Sequence, residues 1–142
     1  MKTLFDTNVI LDVFLDREPF SNDASLLLSK VEQSEIIGFI CATTVTTIHY
    51  IITKALGAQA ASMHVQSLLS LFVIAPVNRV VLENAVASKF PDFEDAVLHE
   101  AACHAGARYI VTRDIGDFKN AKLPVFEPKE FINALESLKN NG

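Results

Sequence analysis

The sequence has 142 residues, half of them hydrophobic, and a mean hydropathy of +0.29, enough apolar material for one domain with a full core. Its apolar runs are short and broken by charges, far below the roughly 20 residues needed to span a bilayer. Asp6 also interrupts the N-terminus before a signal-peptide core can form, so a cytoplasmic protein without membrane contact is expected. The net charge of −5 argues against a wide basic footprint for sequence-independent nucleic-acid binding. It leaves room for a nuclease, because a cluster of cation-holding acids inflates the negative count.

Lys2-Thr3-Leu4-Phe5 reads as a first strand ending at Asp6, and Val9 to Leu15 then carry apolar residues at helical spacing. After the loop Arg17-Glu18-Pro19-Phe20, Ser21 or Asn22 can cap a helix running to about Glu32. Gly38 to Ala42 is a second strand, Thr43 to Leu56 a helix stopped by Gly57, and Ala58 to Leu71 another helix. Phe72-Val73-Ile74 forms a third strand, and Asn78 caps a helix to Lys89. Asp92 stands where an N-cap is wanted, Ala96 to Ala105 are good helix formers, and Gly106 stops the helix. Tyr109-Ile110-Val111 and Val125-Phe126 are short strands, and a last helix runs from Pro128 to about Leu138. Short apolar strands alternating with helices predict an α/β fold. One domain is expected over residues 1–139, with a central parallel sheet of about 4–5 strands covered by helices on both faces, and 140–142 form a frayed tail.

The carboxyl ends of parallel strands open on one edge, where ligands bind. Asp6 follows a strand directly and Asp114 almost at once, and Asp92 and Asp95, three apart, share the N-terminal turn of one helix. Carboxylates roughly 4 Å apart repel by about 4 kcal/mol at an effective dielectric of about 20, so such a cluster needs protons or a cation. Oxygen donors alone suit Mg²⁺ or Mn²⁺, and phosphoester hydrolysis is the natural chemistry. Each acid also has a structural reading: Asp6, Asp92 and Asp95 as helix-end acids, and Asp114 as the start of a turn. Arg113, Lys119 and Lys122 lie near the proposed edge and can touch an RNA backbone or simply meet solvent. His99, Cys103 and His104 fall on neighbouring helical turns, but packing is the expected role, since no fourth soft ligand accompanies them. Cys41 and Cys103, the only cysteines, have no zinc-site spacing and are expected to be buried thiols.

Taken in order, Phe5-Asp6-Thr7-Asn8-Val9-Ile10, Asp92-Phe93-Glu94-Asp95-Ala96 and Ile110-Val111-Thr112-Arg113-Asp114 through Asp117-Phe118 resemble the PIN domain family, including the VapC-like toxin ribonucleases. Arg17-Glu18-Pro19-Phe20 and the stretch from Val125 to Phe131 resemble a subgroup of bacterial PIN proteins. The resemblance implies a Mg²⁺- or Mn²⁺-dependent endoribonuclease acting on RNA, often a homodimer, and in the toxin branch inhibited by a small antitoxin. By the same resemblance Asp6, Asp95 and Asp114 match family acids. Asn8 and Thr112 match polar residues that steady the site, Asp117 matches an accessory acid, and Asp92 is an additional candidate ligand.

One position departs from the family. Where the pattern Ser-x-x-Thr-x-x-Glu is usual, Thr43-x-x-Thr46-x-x-His49 puts a histidine in place of the glutamate. His49 can ligate Mn²⁺, hold a phosphate as imidazolium, or pack. The alternative to a ribonuclease is therefore a catalytically weakened PIN domain that binds RNA or protein. A phosphotransferase with Asp6 as nucleophile fits less well, because Asn8 stands where a second Asp would be wanted.

Overall fold

The computed structural model describes residues 1–141. The elements run β1 (Lys2–Phe5), α1 (Thr7–Phe14), α2 (Ser21–Glu32), β2 (Ile37–Cys41), α3 (Ala42–Leu56), α4 (Ala58–Leu71), β3 (Val73–Ala75) and α5 (Arg79–Ala87). They continue with α6 (Phe93–Ala105), β4 (Tyr109–Val111), a short 3-10 helix (Ile115–Phe118), β5 (Val125–Phe126) and α7 (Pro128–Asn141). Among the described residues no helix is long and apolar enough to cross a membrane.

The five strands form one sheet in the order β3-β2-β1-β4-β5, and every neighbouring pair is parallel. Successive residues of a strand face opposite sides, and the core divides accordingly. Phe5, Ile40 and Val111 join one apolar cluster with α1, α2, α3, α4 and α7. Leu4, Phe39 and Ile110 join another with α5 and α6. Burial on both sides explains why the strands read as continuous apolar runs instead of alternating ones.

Helix ends follow local chemistry in most places. Asn78 accepts from the Val81 amide at 3.1 Å, and Gly106 ends α6 in the left-handed region at φ 87°, where the missing Cβ removes the steric cost. The start of α2 differs from expectation. Phe20 occupies its N-cap position with no side-chain cap, and the Ser21 hydroxyl turns to Glu18 Oε1 at 3.3 Å instead. At the other end of the chain, α7 continues past Leu138 to Asn141, and of the expected tail Gly142 lies outside the described residues. Cys41 is buried as expected, whereas Cys103 is only partly covered.

Gly38 marks the tightest packing in β2. A Cβ there would lie 2.7 Å from two Phe72 ring carbons and 3.0 Å from Val31 Cγ1. Phe72 is itself buried and set edge-on to Phe5, with ring centroids 5.6 Å apart, so it has little room to yield. Gly38→Ala is expected to destabilise the protein by about 1–3 kcal/mol, read as a lower urea midpoint; an unchanged midpoint would show that the aromatic pair can shift freely.

Candidate functional site

The strand order reverses direction at β1. β2 and β3 extend the sheet to one side, and the chain then crosses to place β4 on the other. This is the switch point at which open parallel sheets bind ligands. Asp6, just past β1, and Thr112 to Asp114, just past β4, flank it, and the Asp6 amide donates to the Val111 carbonyl at 2.9 Å.

Asp6 caps α1, with Oδ1 accepting from the Thr7 amide at 2.7 Å. Its Oδ2 accepts from the buried Thr112 hydroxyl at 2.8 Å. That hydroxyl also accepts from the Asp114 amide at 3.1 Å, using both its donor and its acceptor capacity. Asn8 Nδ2 donates to Asp114 Oδ2 at 2.9 Å and reaches Asp6 Oδ2 at 3.4 Å. One amide thus lies between two carboxylates that would otherwise repel. The capping reading of Asp6 is therefore realised, and the same residue lines the cleft at this edge.

The helix α6 delivers its acids to this edge. Asp92 caps the helix by accepting from the Asp95 amide at 3.0 Å, which fixes the first turn and its two acids, Glu94 and Asp95. A cleft of about 280 Å³ is lined by Asp6, Asn8, Glu94, Asp95 and Asp114, by Thr43, Thr44 and Thr47 of α3, and by Arg17. Burial pushes the Asp6 carboxyl up, against the Thr112 and Thr7 hydrogen bonds, and Asp114 and Glu94 add to the rise. Asp95 is pushed up to about 7, first by burial and then by the charges of Asp6, Asp92, Asp117 and Glu94. Burial and neighbouring charge thus both disfavour the ionised forms of Asp6 and Asp95.

Other candidates named from the sequence fall outside the cleft lining. Asp92 is exposed and serves as a cap, while Asp117, exposed in the 3-10 helix, acts on Asp95 through its charge. Arg113 Nε lies 2.7 Å from Oδ2 of the fully buried Asp12, and its Nη2 donates to Oδ1 at 3.1 Å, so its charge is committed inward. Lys119 is exposed. Lys122 lines a separate opening of about 540 Å³ beside His99 and Glu100. There its backbone amide donates to His99 Nε2 at 2.9 Å. His99 is buried and stacked on Phe90 with ring centroids 4.9 Å apart, and burial pushes its pKa down. It packs, as the sequence suggested.

His49 is exposed and absent from the cleft. The α3 residues that do line it are Thr43, Thr44, Thr47 and Ile51, a stripe at helical spacing. Two residues from Thr47 is about 200° around the helix, so His49 points away from that stripe. The acid that meets Thr47 of α3 is Glu94, whose Oε1 accepts from the Thr47 hydroxyl at 3.5 Å, the outer limit of hydrogen bonding. Glu94, Thr47 and Arg17 were not named as site residues from the sequence. The spacing Thr43-Thr47-Ile51 was the available signal for α3, and the adjacency of Glu94 to Asp95 was the signal for α6.

The sequence matches the PIN domain family model over residues 2–116. No curated protein matches it. Among solved structures, a toxin–antitoxin complex from Klebsiella pneumoniae is similar at 25% identity and a TM-score of 0.69, covering 89% of this chain and 97% of that one. FitAcB from Neisseria gonorrhoeae is 22% identical with a TM-score of 0.67, over 89% and 98%. VapC20 of Mycobacterium tuberculosis, a Sarcin-Ricin loop cleaving toxin, shares the fold at 15% identity and a TM-score of 0.68, over 85% and 95%.

Proposed function

The chain belongs to the PIN domain family, and from that premise we propose that it is a Mg²⁺- or Mn²⁺-dependent endoribonuclease hydrolysing RNA phosphodiesters. The observation that carries the reading is the convergence of Asp6, Glu94, Asp95 and Asp114 on one cleft at the switch point of the sheet. We take Asp6, Asp95 and Asp114 as its acids and Glu94 as a fourth, occupying the role that His49 cannot fill from its outward position. Asn8 and Thr112 position these groups.

The donor set fits a hard divalent cation. It offers oxygen ligands only, Asp6 and Asp95 are held above their ordinary pKa first by burial and then by neighbouring carboxylates, and among the described residues the buried Asn8 Oδ1 has no hydrogen-bond partner. Among the described residues no three His, Cys, Asp or Glu side chains already stand in ion-holding geometry. Mg²⁺ is commonly held by one or two carboxylates together with water and substrate phosphate. When bound, the cation would supply an activated water and offset the charge that develops on the phosphate. The chain's own residues hold the geometry: the Thr112 hydroxyl and Thr7 amide fix the direction of Asp6, Asn8 spaces Asp6 from Asp114, and the Asp92 cap sets the turn that carries Asp95.

Likeness to the Klebsiella toxin–antitoxin complex supports a toxin role with a small protein antitoxin as partner, and the family reading extends to a homodimer. Incubation of the purified protein with structured RNA and Mn²⁺, beside Asp6→Asn, tests the activity. The wild type should cut and Asp6→Asn should lose about 10²-fold or more. Equal cleavage by both proteins rejects the reading, and RNA binding without cleavage by either would leave only the binding-module alternative.

A further inference from the structure

Of the motif Arg17-Glu18-Pro19-Phe20, which none of the acid chemistry uses, Arg17 reaches the cleft, while Pro19 and Phe20 line a separate opening beside Arg113. Arg17 is the one basic side chain among the residues that line the cleft. We propose that Arg17 binds a phosphate of the RNA chain next to the acid cluster, and that Arg113, paired with Asp12 and covered by Phe20, leaves it free to do so. The proposal rests on the ribonuclease reading and names a substrate contact for it.

Three observations carry it. First, the loop backbone is fixed: the Arg17 amide donates to the Asp12 carbonyl at 3.0 Å, and the Arg17 carbonyl accepts from the amides of Phe20 at 2.9 Å and Ser21 at 2.8 Å. The side chain therefore starts from a fixed backbone position at the cleft wall.

Second, its apparent partner is already taken. Asp12 is fully buried and paired with Arg113, whose Nη2 donates to Oδ1 at 3.1 Å and whose Nε makes an ion-pair contact with Oδ2 at 2.7 Å without hydrogen-bond alignment. Arg113 in turn lies under the Phe20 ring, 4.0 Å from its centroid, a cation–π contact that keeps its face dry. Arg17 Nη1 stands 3.9 Å from the same carboxylate, beyond hydrogen-bond reach. Two arginines face one carboxylate, so a positive charge is left over, and the Arg17 side chain is the more accessible, 37% exposed against 25% for Arg113.

Third, the cleft otherwise presents only carboxylates and neutral groups, and a polyanion entering it needs a cation that is not consumed by the acids. A guanidinium matches phosphate geometry through paired donors. Among the described residues no hydrogen bond ties it elsewhere, and it can turn from Asp12 to a phosphate oxygen.

The test uses the full chain carrying Asp6→Asn, so that RNA is not consumed, with Mg²⁺ and a fluorescein-labelled single-stranded RNA read by anisotropy. Adding Arg17→Gln should weaken binding about tenfold and reduce the slope of log affinity against log salt by about 0.7. Arg17→Lys should fall between the two, and Lys139→Gln, which removes a distant charge, should bind as the parent does. Thermal melts run beside these measurements show whether Arg17→Gln is folded; if it is not, Arg17→Lys carries the comparison. Binding by Arg17→Gln within twofold of the parent, at the same salt slope, overturns the proposal, whether or not its melting temperature falls. Absence of RNA binding by the parent overturns it as well. Cleavage by the protein with Asp6 intact is measured separately, so failure of the nuclease reading shows there and not in the binding comparison.

Discussion

Asp95→Asn is expected to make the ion-free protein more heat-stable at pH 8 while removing its RNA cleavage. The carboxyl is pushed up to about 7 by burial and by Asp6, Asp92, Asp117 and Glu94, whereas in the unfolded chain it titrates near its ordinary 3.8. Between those two values the folded protein holds a proton that the unfolded chain has released, so stability falls as pH rises from about 4 to about 7. Above that window the cost of an ionised Asp95 is fully present, and below about 4 it is absent. Asparagine cannot ionise and removes the cost. Discounted for the solvent that reaches this half-buried group, the gain is about 1 kcal/mol, or roughly 2–4 °C in Tm.

The loss of activity is expected at about 10²-fold or more, because a neutral amide neither takes a proton nor offsets a cation. Melting curves at pH 4, 6 and 8 in a chelator give the first half, and RNA cleavage with Mn²⁺ gives the second. A variant that melts below wild type at pH 8 would mean that the carboxylate is a structural asset and not a strained site group. Retained cleavage would remove Asp95 from the reaction.

Arg113→Ala is expected to be the most damaging single change outside the cleft. It strips Asp12, which is fully buried, of its close counter-ion at 2.7 Å and leaves only Arg17 at 3.9 Å. Burial already pushes the Asp12 carboxyl up, against the pull of Arg113, and removing one member of a buried pair costs about 3–5 kcal/mol. Urea unfolding should show that loss. The double change Asp12→Asn with Arg113→Met should recover much of it, since no uncompensated charge remains. A single variant within 1 kcal/mol of wild type would show that water or Arg17 satisfies Asp12 unaided. The pair sits 101 residues apart in sequence, joining the α1 end to the chain just past β4, so its loss should also loosen the support beneath Arg17.

The helix caps and strand ends were legible from the sequence because their causes are local. An N-cap such as Asp92 or Asn78 acts within three residues, and Gly106 stops a helix by its own backbone freedom. The parallel sheet was legible too, since strands buried on both faces must be apolar throughout, as Tyr109-Ile110-Val111 nearly is. From these, Asp6 and Asp114 could be placed at one sheet edge before any contact was known. The cap of α2 was misread because Ser21 and Asn22 have the right chemistry, while the loop bond to Glu18 claims Ser21.

What the sequence alone determined is the inventory of acids and their positions at element ends, because strand ends and first turns follow from propensity and capping. What only the tertiary structure decided is which groups meet. The order β3-β2-β1-β4-β5 sets Asp6 against Thr112, 106 residues away, and the rotation of α3 turns Thr47 toward Glu94 and His49 outward. It also frees Arg17 by giving Asp12 to Arg113. The physical reason is that crossover connections and helix rotation are fixed by burying both apolar faces of the sheet at once, a condition that no window of neighbouring residues contains.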